Sequence, residues 1–261
     1  IKLNYLKEFM KKLNIMKKKI LLLGAAILLS VPVFGQKSTA KKMKSQTSKV
    51  TKVLTEQDRS KLSPSDVVSR LKKGNVNFVS GKVTVYDHAS QVKEASKGQH
   101  PQAIILSCLD SRVPVEEIFD MSIGDLFVGR VAGNIEDKNM IGSFEFGAAV
   151  AGAKVIVVLG HTACGAVKHA VDKTDAASLG MNDLAYLLAE IDPAVTASLK
   201  DGEERKSTNK KLVATSIQKN VEMTIDDIRK KSPTLKKMEE EGKLKIVGAV
   251  YDLETGKVTW L

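Results

Sequence analysis

The sequence predicts an α/β fold: a central, mostly parallel β-sheet of about five strands flanked by helices. Three observations lead there. Short, nearly continuous apolar runs at Ala103–Leu106, Leu126–Val128 and Lys154–Gly160 read as strands buried on both faces. Segments with helical spacing lie between and after them, the alternation that builds a parallel sheet with helical crossovers. The chain then closes on a hairpin signal, Glu254-Thr255-Gly256, between two further strand-like segments.

Each element has its own local reason. Ser63-Pro64-Ser65-Asp66 is a helix start, and Val67, Val68, Leu71, Val76, Phe78 and Val79 follow at roughly helical spacing. Gly98 and Pro101 punctuate the chain before the first strand. Met140–Ala151 reads as a helix whose Gly142, Gly147, Ala148 and Ala149 permit close packing. Met181–Glu190 and Lys211–Lys231 read as helices, Lys243–Asp252 as a strand, and Lys257–Leu261 as a short final strand. No internal repeat is evident.

The chain has 261 residues, of which 43% are hydrophobic and 27% charged, ordinary for a globular protein. The net charge is +11. Residues 1–35 hold seven lysines against one glutamate, so much of the excess lies at the amino terminus. With aromatics at only 5% and no basic stripe on a recognisable motif, composition argues against a nucleic-acid partner.

That amino-terminal segment has the order of a secretory signal peptide. Met16-Lys17-Lys18-Lys19 is the charged start, Ile20–Val33 the apolar run, and Gly35 the small residue at the expected cleavage site. The run falls short of the roughly 20 residues a membrane span needs. The expectation is therefore a signal peptide over 1–35 with Met16 as the true start and export to the periplasm or beyond. No stable membrane insertion is expected after cleavage. Residues 36–55, rich in Lys, Ser, Thr and Gln, read as a flexible linker, and 56–261 as the folded domain.

The only two cysteines, Cys108 and Cys164, could form one disulfide or serve as two thiolates on a metal. Their surroundings favour the metal. Both follow the two best strands, and open sheets of this class place their sites at strand carboxyl ends. The first strand runs into Ser107-Cys108-Leu109-Asp110-Ser111-Arg112, and the strongest into His161-Thr162-Ala163-Cys164-Gly165. Cys108, His161 and Cys164 make a Cys₂His set with one open position, the mark of a catalytic zinc site. Asp110 is close enough in sequence to reach the same metal, and Arg112 can hold it away by a bidentate pair. So held, Asp110 can accept a hydrogen bond from a water molecule that the metal has acidified.

These motifs resemble the beta-class carbonic anhydrases. The likeness rests on Cys108-Leu109-Asp110-Ser111-Arg112-Val113, Gly124-Asp125-Leu126-Phe127-Val128, Arg130, Gly133-Asn134 and Gly160-His161-Thr162-Ala163-Cys164-Gly165, and runs from about Ser65 to the chain end. The resemblance implies Zn²⁺ on Cys108, His161 and Cys164, a catalytic dyad of Asp110 and Arg112, and Asp110 as an alternative fourth ligand. It implies reversible hydration of carbon dioxide to bicarbonate by zinc-bound hydroxide. It also implies a homodimer or homotetramer with the active site at the subunit interface. Gln99 matches the substrate-binding glutamine of the plant-like branch, and Phe127 an apolar residue of its substrate pocket. Phe146 stands where that branch has a tyrosine, and Ala132 where it has a valine. The lone Trp260, far along the chain, argues against the bicarbonate-regulated branch. The rival readings are a carbon disulfide or carbonyl sulfide hydrolase on the same scaffold, a non-catalytic zinc-binding homologue, and a secreted disulfide-linked binding domain.

Overall fold

The computed structural model describes residues 49–261. The signal segment expected over 1–35 and most of the expected linker lie outside the described residues.

Five strands form one sheet: β1 (Ala103–Ser107), β2 (Leu126–Arg130), β3 (Val155–His161), β4 (Lys245–Tyr251) and β5 (Val258–Trp260), in the order β2-β1-β3-β4-β5. The first four are mutually parallel and β5 returns antiparallel to β4. The closing hairpin turns at Gly256, whose φ of 73° lies in the left-handed region a glycine adopts without strain. Its N–H donates to the Asp252 carbonyl at 2.9 Å.

Strand side chains alternate between two cores. Ala103, Ile105, Val155, Val157 and Leu159 point to one face, where Val67, Leu71 and Phe119 cover them. Ile104, Leu106, Ile156 and Val158 point to the other, against Phe144, Val221, Ile225 and Ile228. Both β1 and β3 are buried along their whole length, which is why they read as continuous apolar runs.

The helices are α1 (Glu56–Ser60), α2 (Pro64–Val79), α3 (His88–Ala95), α4 (Val115–Ile118), α5 (Lys138–Glu145), α6 (Gly165–Val171), α7 (Asn182–Ser198), α8 (Lys210–Lys231) and α9 (Pro233–Glu240). The helix start expected at Ser63–Asp66 is that of α2, where Ser63 and Asp66 form a reciprocal capping box with Pro64 in the first turn. None of the helices among the described residues is long and apolar enough to cross a membrane.

Three boundaries differ from expectation. The segment read as one helix over Met140–Ala151 is α5 followed by a π-helical turn, Phe146–Val150. The helix expected to end at Glu190 continues to Ser198 through Pro193. Apolar packing of Ile191, Ala194 and Val195 carries it past a residue that usually stops a helix. Residues near the end of the expected linker are held by backbone hydrogen bonds, with the Val50 N–H on the Val85 carbonyl at 2.8 Å and the Asp87 N–H on the Val50 carbonyl at 2.9 Å. Such pairing leaves no side-chain pattern to read.

Candidate metal centre

Strands β1 and β3 are adjacent and parallel, with Ser107 level with Leu159. β1 stops there and β3 runs on to His161, so the two carboxyl ends lie on the same edge of the sheet. Cys108 is the first residue after β1, and His161 is the last residue of β3. A tight turn returns the chain from His161 to Cys164, with Ala163 at a φ of 57° in the left-handed region. Cys164 then caps the start of α6. The sulfurs of Cys108 and Cys164 and a ring nitrogen of His161 all lie within 4.8 Å of one another, and all three residues are buried.

The protonation of His161 follows from its neighbour. Nδ1 lies 2.9 Å from the Thr162 carbonyl oxygen, which can only accept, so Nδ1 carries the proton. The lone pair is left on Nε2, a buried atom with no hydrogen-bond partner. A buried polar atom left bare costs free energy unless a ligand uses it. An outer hydrogen bond that fixes the tautomer is the usual arrangement of a metal-binding histidine.

The two sulfurs are 3.9 Å apart. A disulfide would need about 2.05 Å, and both cysteines are free. The disulfide alternative finds no support in this geometry. A tetrahedral ion bound at about 2.3 Å to each sulfur would hold them about 3.8 Å apart, close to the observed spacing. The pair also has a charge problem that a cation solves. Hydrogen bonding between the two sulfurs, helped by the Gly133 N–H, draws the Cys108 thiol down. The resulting thiolate and burial push Cys164 up. Two adjacent buried thiolates become compatible only with positive charge between them.

The cradle around Cys108 needs residues the motif alone did not single out for a role. The Gly133 N–H points at the Cys108 sulfur, 3.4 Å away. Gly133 has a φ of 76°, and a Cβ there would sit 2.5 Å from Cδ1 of Ile191. Only glycine fits. Its carbonyl is held by the buried Asn220 side chain of α8 at 2.7 Å. The Thr162 hydroxyl in turn accepts the Leu253 N–H at 3.0 Å, which ties the ligand turn to the end of the sheet. Gly133 stood in the sequence motifs without a role, whereas Asn220 in the middle of a helix gave no signal.

Asp110 and Arg112 pair as expected. The Arg112 Nε and Nη2 donate to the two Asp110 oxygens at 2.9 and 2.7 Å, and the Arg112 N–H adds a third bond at 2.9 Å. This grip holds the Asp110 carboxyl well below the usual carboxylate range, chiefly through the Arg112 side-chain hydrogen bonds. Asp110 Oδ2 lies 3.9 Å from Nε2 of His161. The carboxylate thus borders the three donors without belonging to their set.

Gln99 and Phe127 stand apart. Gln99 is exposed, ahead of the amino end of β1, while Cys108 follows its carboxyl end. A five-residue strand separates them by about 17 Å at 3.3 Å per residue. Phe127 is level with Ile104 on β2 and packs against Phe146, with ring centroids 6.3 Å apart.

The family model described as "Carbonic anhydrase" matches residues 103–258. Carbonic anhydrase 2 of Mycobacterium tuberculosis is 35% identical over 191 residues, covering 72% of this chain and 87% of that protein. A carbonic anhydrase of Mycolicibacterium smegmatis is 32% identical over 192 residues, covering 72% of this chain and 88% of its own. Among solved structures, a tetrameric beta-carbonic anhydrase of Sordaria macrospora superimposes with a TM-score of 0.55 at 27% identity, over 65% of this chain and 85% of its own. The beta-carbonic anhydrase CafA of Aspergillus fumigatus gives 0.58 at 25% identity, over 76% and 89%. Profile, sequence and fold agree with the geometry of the Cys108–His161–Cys164 cluster, and the chain belongs to the beta-class carbonic anhydrase family.

Proposed function

We propose that this protein is a zinc carbonic anhydrase that interconverts carbon dioxide and bicarbonate. The observation that carries the reading is the bare Nε2 of His161 facing two free thiols, with an arginine-held carboxylate 3.9 Å from that nitrogen. Cys108, His161 and Cys164 would hold the ion. When bound, zinc supplies the charge that makes water acidic near neutral pH and leaves a position open for it.

The chain's own groups have separable tasks. The two sulfurs balance the charge of a dication, and Thr162 keeps the His161 lone pair turned toward it. Asp110 is ionised at neutral pH, so it accepts a hydrogen bond and does not donate one. It would orient the oxygen nucleophile toward the carbon of carbon dioxide. Arg112 keeps the carboxylate in that posture through its bidentate grip. Gln99 is too far from Cys108 to serve its own chain's site, so its contact with substrate would be made across an interface in a homodimer or homotetramer. The Sordaria relative is described as tetrameric, which supports that assembly. Gln99 and Phe127 support the plant-like branch, and Phe146 supplies a ring without the hydroxyl of that branch. The charged and apolar order of residues 16–35 supports export to the periplasm or beyond.

The test is carbon dioxide hydration by the purified protein, with and without a zinc chelator. Activity that disappears on chelation and returns with added zinc supports the reading. A zinc-replete protein that hydrates no carbon dioxide refutes it.

A further inference from the structure

Arg130 ends β2, level with Ser107 at the end of β1. Its side chain reaches across to the turn that follows β1. Nε donates to the Cys108 carbonyl at 3.1 Å, and Nη2 donates to the Asp110 carbonyl. A guanidinium presents its N–H groups in a rigid planar fork, so two carbonyls bound to one fork are fixed relative to each other. Here they belong to the residue that supplies a metal-facing sulfur and to the residue that supplies the carboxylate.

The other ties on this turn include the Ser107 hydroxyl on the Cys108 carbonyl and the Gly133 N–H on the Cys108 sulfur, each at 3.4 Å. Leu109, between Cys108 and Asp110, is 65% exposed. The Val113 N–H also reaches the Asp110 carbonyl, at 3.1 Å. The Asp110 carboxylate meanwhile stands at a fork, gripped by Arg112 on one side and 3.9 Å from the bare nitrogen of His161 on the other. Leaving Arg112 for the metal would require the Asp110–Arg112 segment to turn, because the Arg112 N–H also binds the carboxylate.

We infer that Arg130 is a positioning residue, which fastens the Cys108–Asp110 turn through its two carbonyls and so keeps the Asp110 carboxylate on Arg112. The inference rests on the carbonic anhydrase reading of the site. It assigns Arg130 no contact with substrate or metal. Its effect passes through backbone oxygens, so the size of the fork matters as well as the charge.

The experiment compares Arg130→Met and Arg130→Lys, each alone and on an Asp110→Asn background, in full-length protein. Three readouts are taken: metal content, the visible spectrum of the cobalt-loaded protein, and hydration kinetics. Arg130→Met should keep its metal and lose kcat by roughly tenfold to a hundredfold, in the range a misplacement of about 1 Å produces. KM should stay within about twofold, because only the posture of the reacting groups changes. Its cobalt spectrum should shift toward carboxylate coordination, and Arg130→Lys, which keeps the charge without the fork, should fall between. On the Asp110→Asn background the cobalt spectrum should not respond to either Arg130 substitution, since no carboxylate remains to move. A merely structural role would perturb both backgrounds alike, and that result overturns the inference. So does a wild-type spectrum and kcat in Arg130→Met, or metal loss with the fold intact. If Arg130→Met fails to fold, Arg130→Lys decides: a spectrum identical to wild type overturns the inference. Should the wild-type protein itself show no hydration, the functional reading fails, while the spectral comparison still decides the role of Arg130.

Discussion

Replacing Asp110 by asparagine separates orienting the nucleophile from holding the metal. The side chain keeps its size, and Cys108, His161 and Cys164 are untouched, so zinc should remain at about one per chain. What changes is the hydrogen bonding. The carboxylate accepts from Arg112 at three points, on both oxygens. An amide has one accepting oxygen, and its NH₂ would face an Arg112 donor. The amide must therefore break one arm of the bidentate pair, and it can offer a donor where the nucleophile needs an acceptor. Loss of a positioned acid–base group costs about 10²- to 10⁴-fold, or about 3–5 kcal/mol of barrier at 1.36 kcal/mol per tenfold. Stopped-flow hydration of carbon dioxide, normalised to measured zinc, reads this directly. Arg112→Ala should also keep most of its zinc and lose activity, because an unheld carboxylate is free to swing toward the three donors. The double variant should lose no more than about the larger single loss, since both changes disable one pair. Near-normal hydration by zinc-loaded Asp110→Asn would refute the assigned role of Asp110 even with the zinc site intact.

Other perturbations test the framework around that pair. Cys108→Ser and His161→Ala should each lose zinc, and full metal content in either would refute the ligand set. Asn220→Leu strips the donor from the Gly133 carbonyl and should cost about 1–3 kcal/mol for the polar group left buried, read as a lowered denaturant midpoint with unchanged slope. Zinc affinity should fall steadily as pH is lowered, because protons compete for the two thiolate sulfurs. The Asp110 carboxyl, held low by Arg112, should stay ionised through that loss. Zinc release measured against pH with a chromophoric chelator checks it, and pH-independent affinity would contradict the thiolate ligands.

The sequence exposed those parts of the fold that bury continuous apolar surface. The runs at Ala103–Leu106 and Lys154–Gly160 announced buried parallel strands because both faces are covered. Their carboxyl ends then located the chemistry, since Cys108 and His161 come where the strands stop. Hidden parts depend on contacts between distant segments. The π-helical turn at Phe146–Val150 and the passage of α7 through Pro193 follow from packing against neighbours, which overrides local preference. Arg130 stood in the motif without a role, because its partners are backbone carbonyls that carry no sequence signature. The separation of Gln99 from Cys108 likewise needed the strand direction, which a spacing in the chain does not give.

Hydration of carbon dioxide should depend on one zinc ion held by Cys108, His161 and Cys164. Titrating zinc into the metal-free protein while recording the hydration rate tests it most directly. The rate should rise linearly and break at about one zinc per chain, with no such rise in His161→Ala. A rate that stays at background through saturation, or the same rise in His161→Ala, would contradict it.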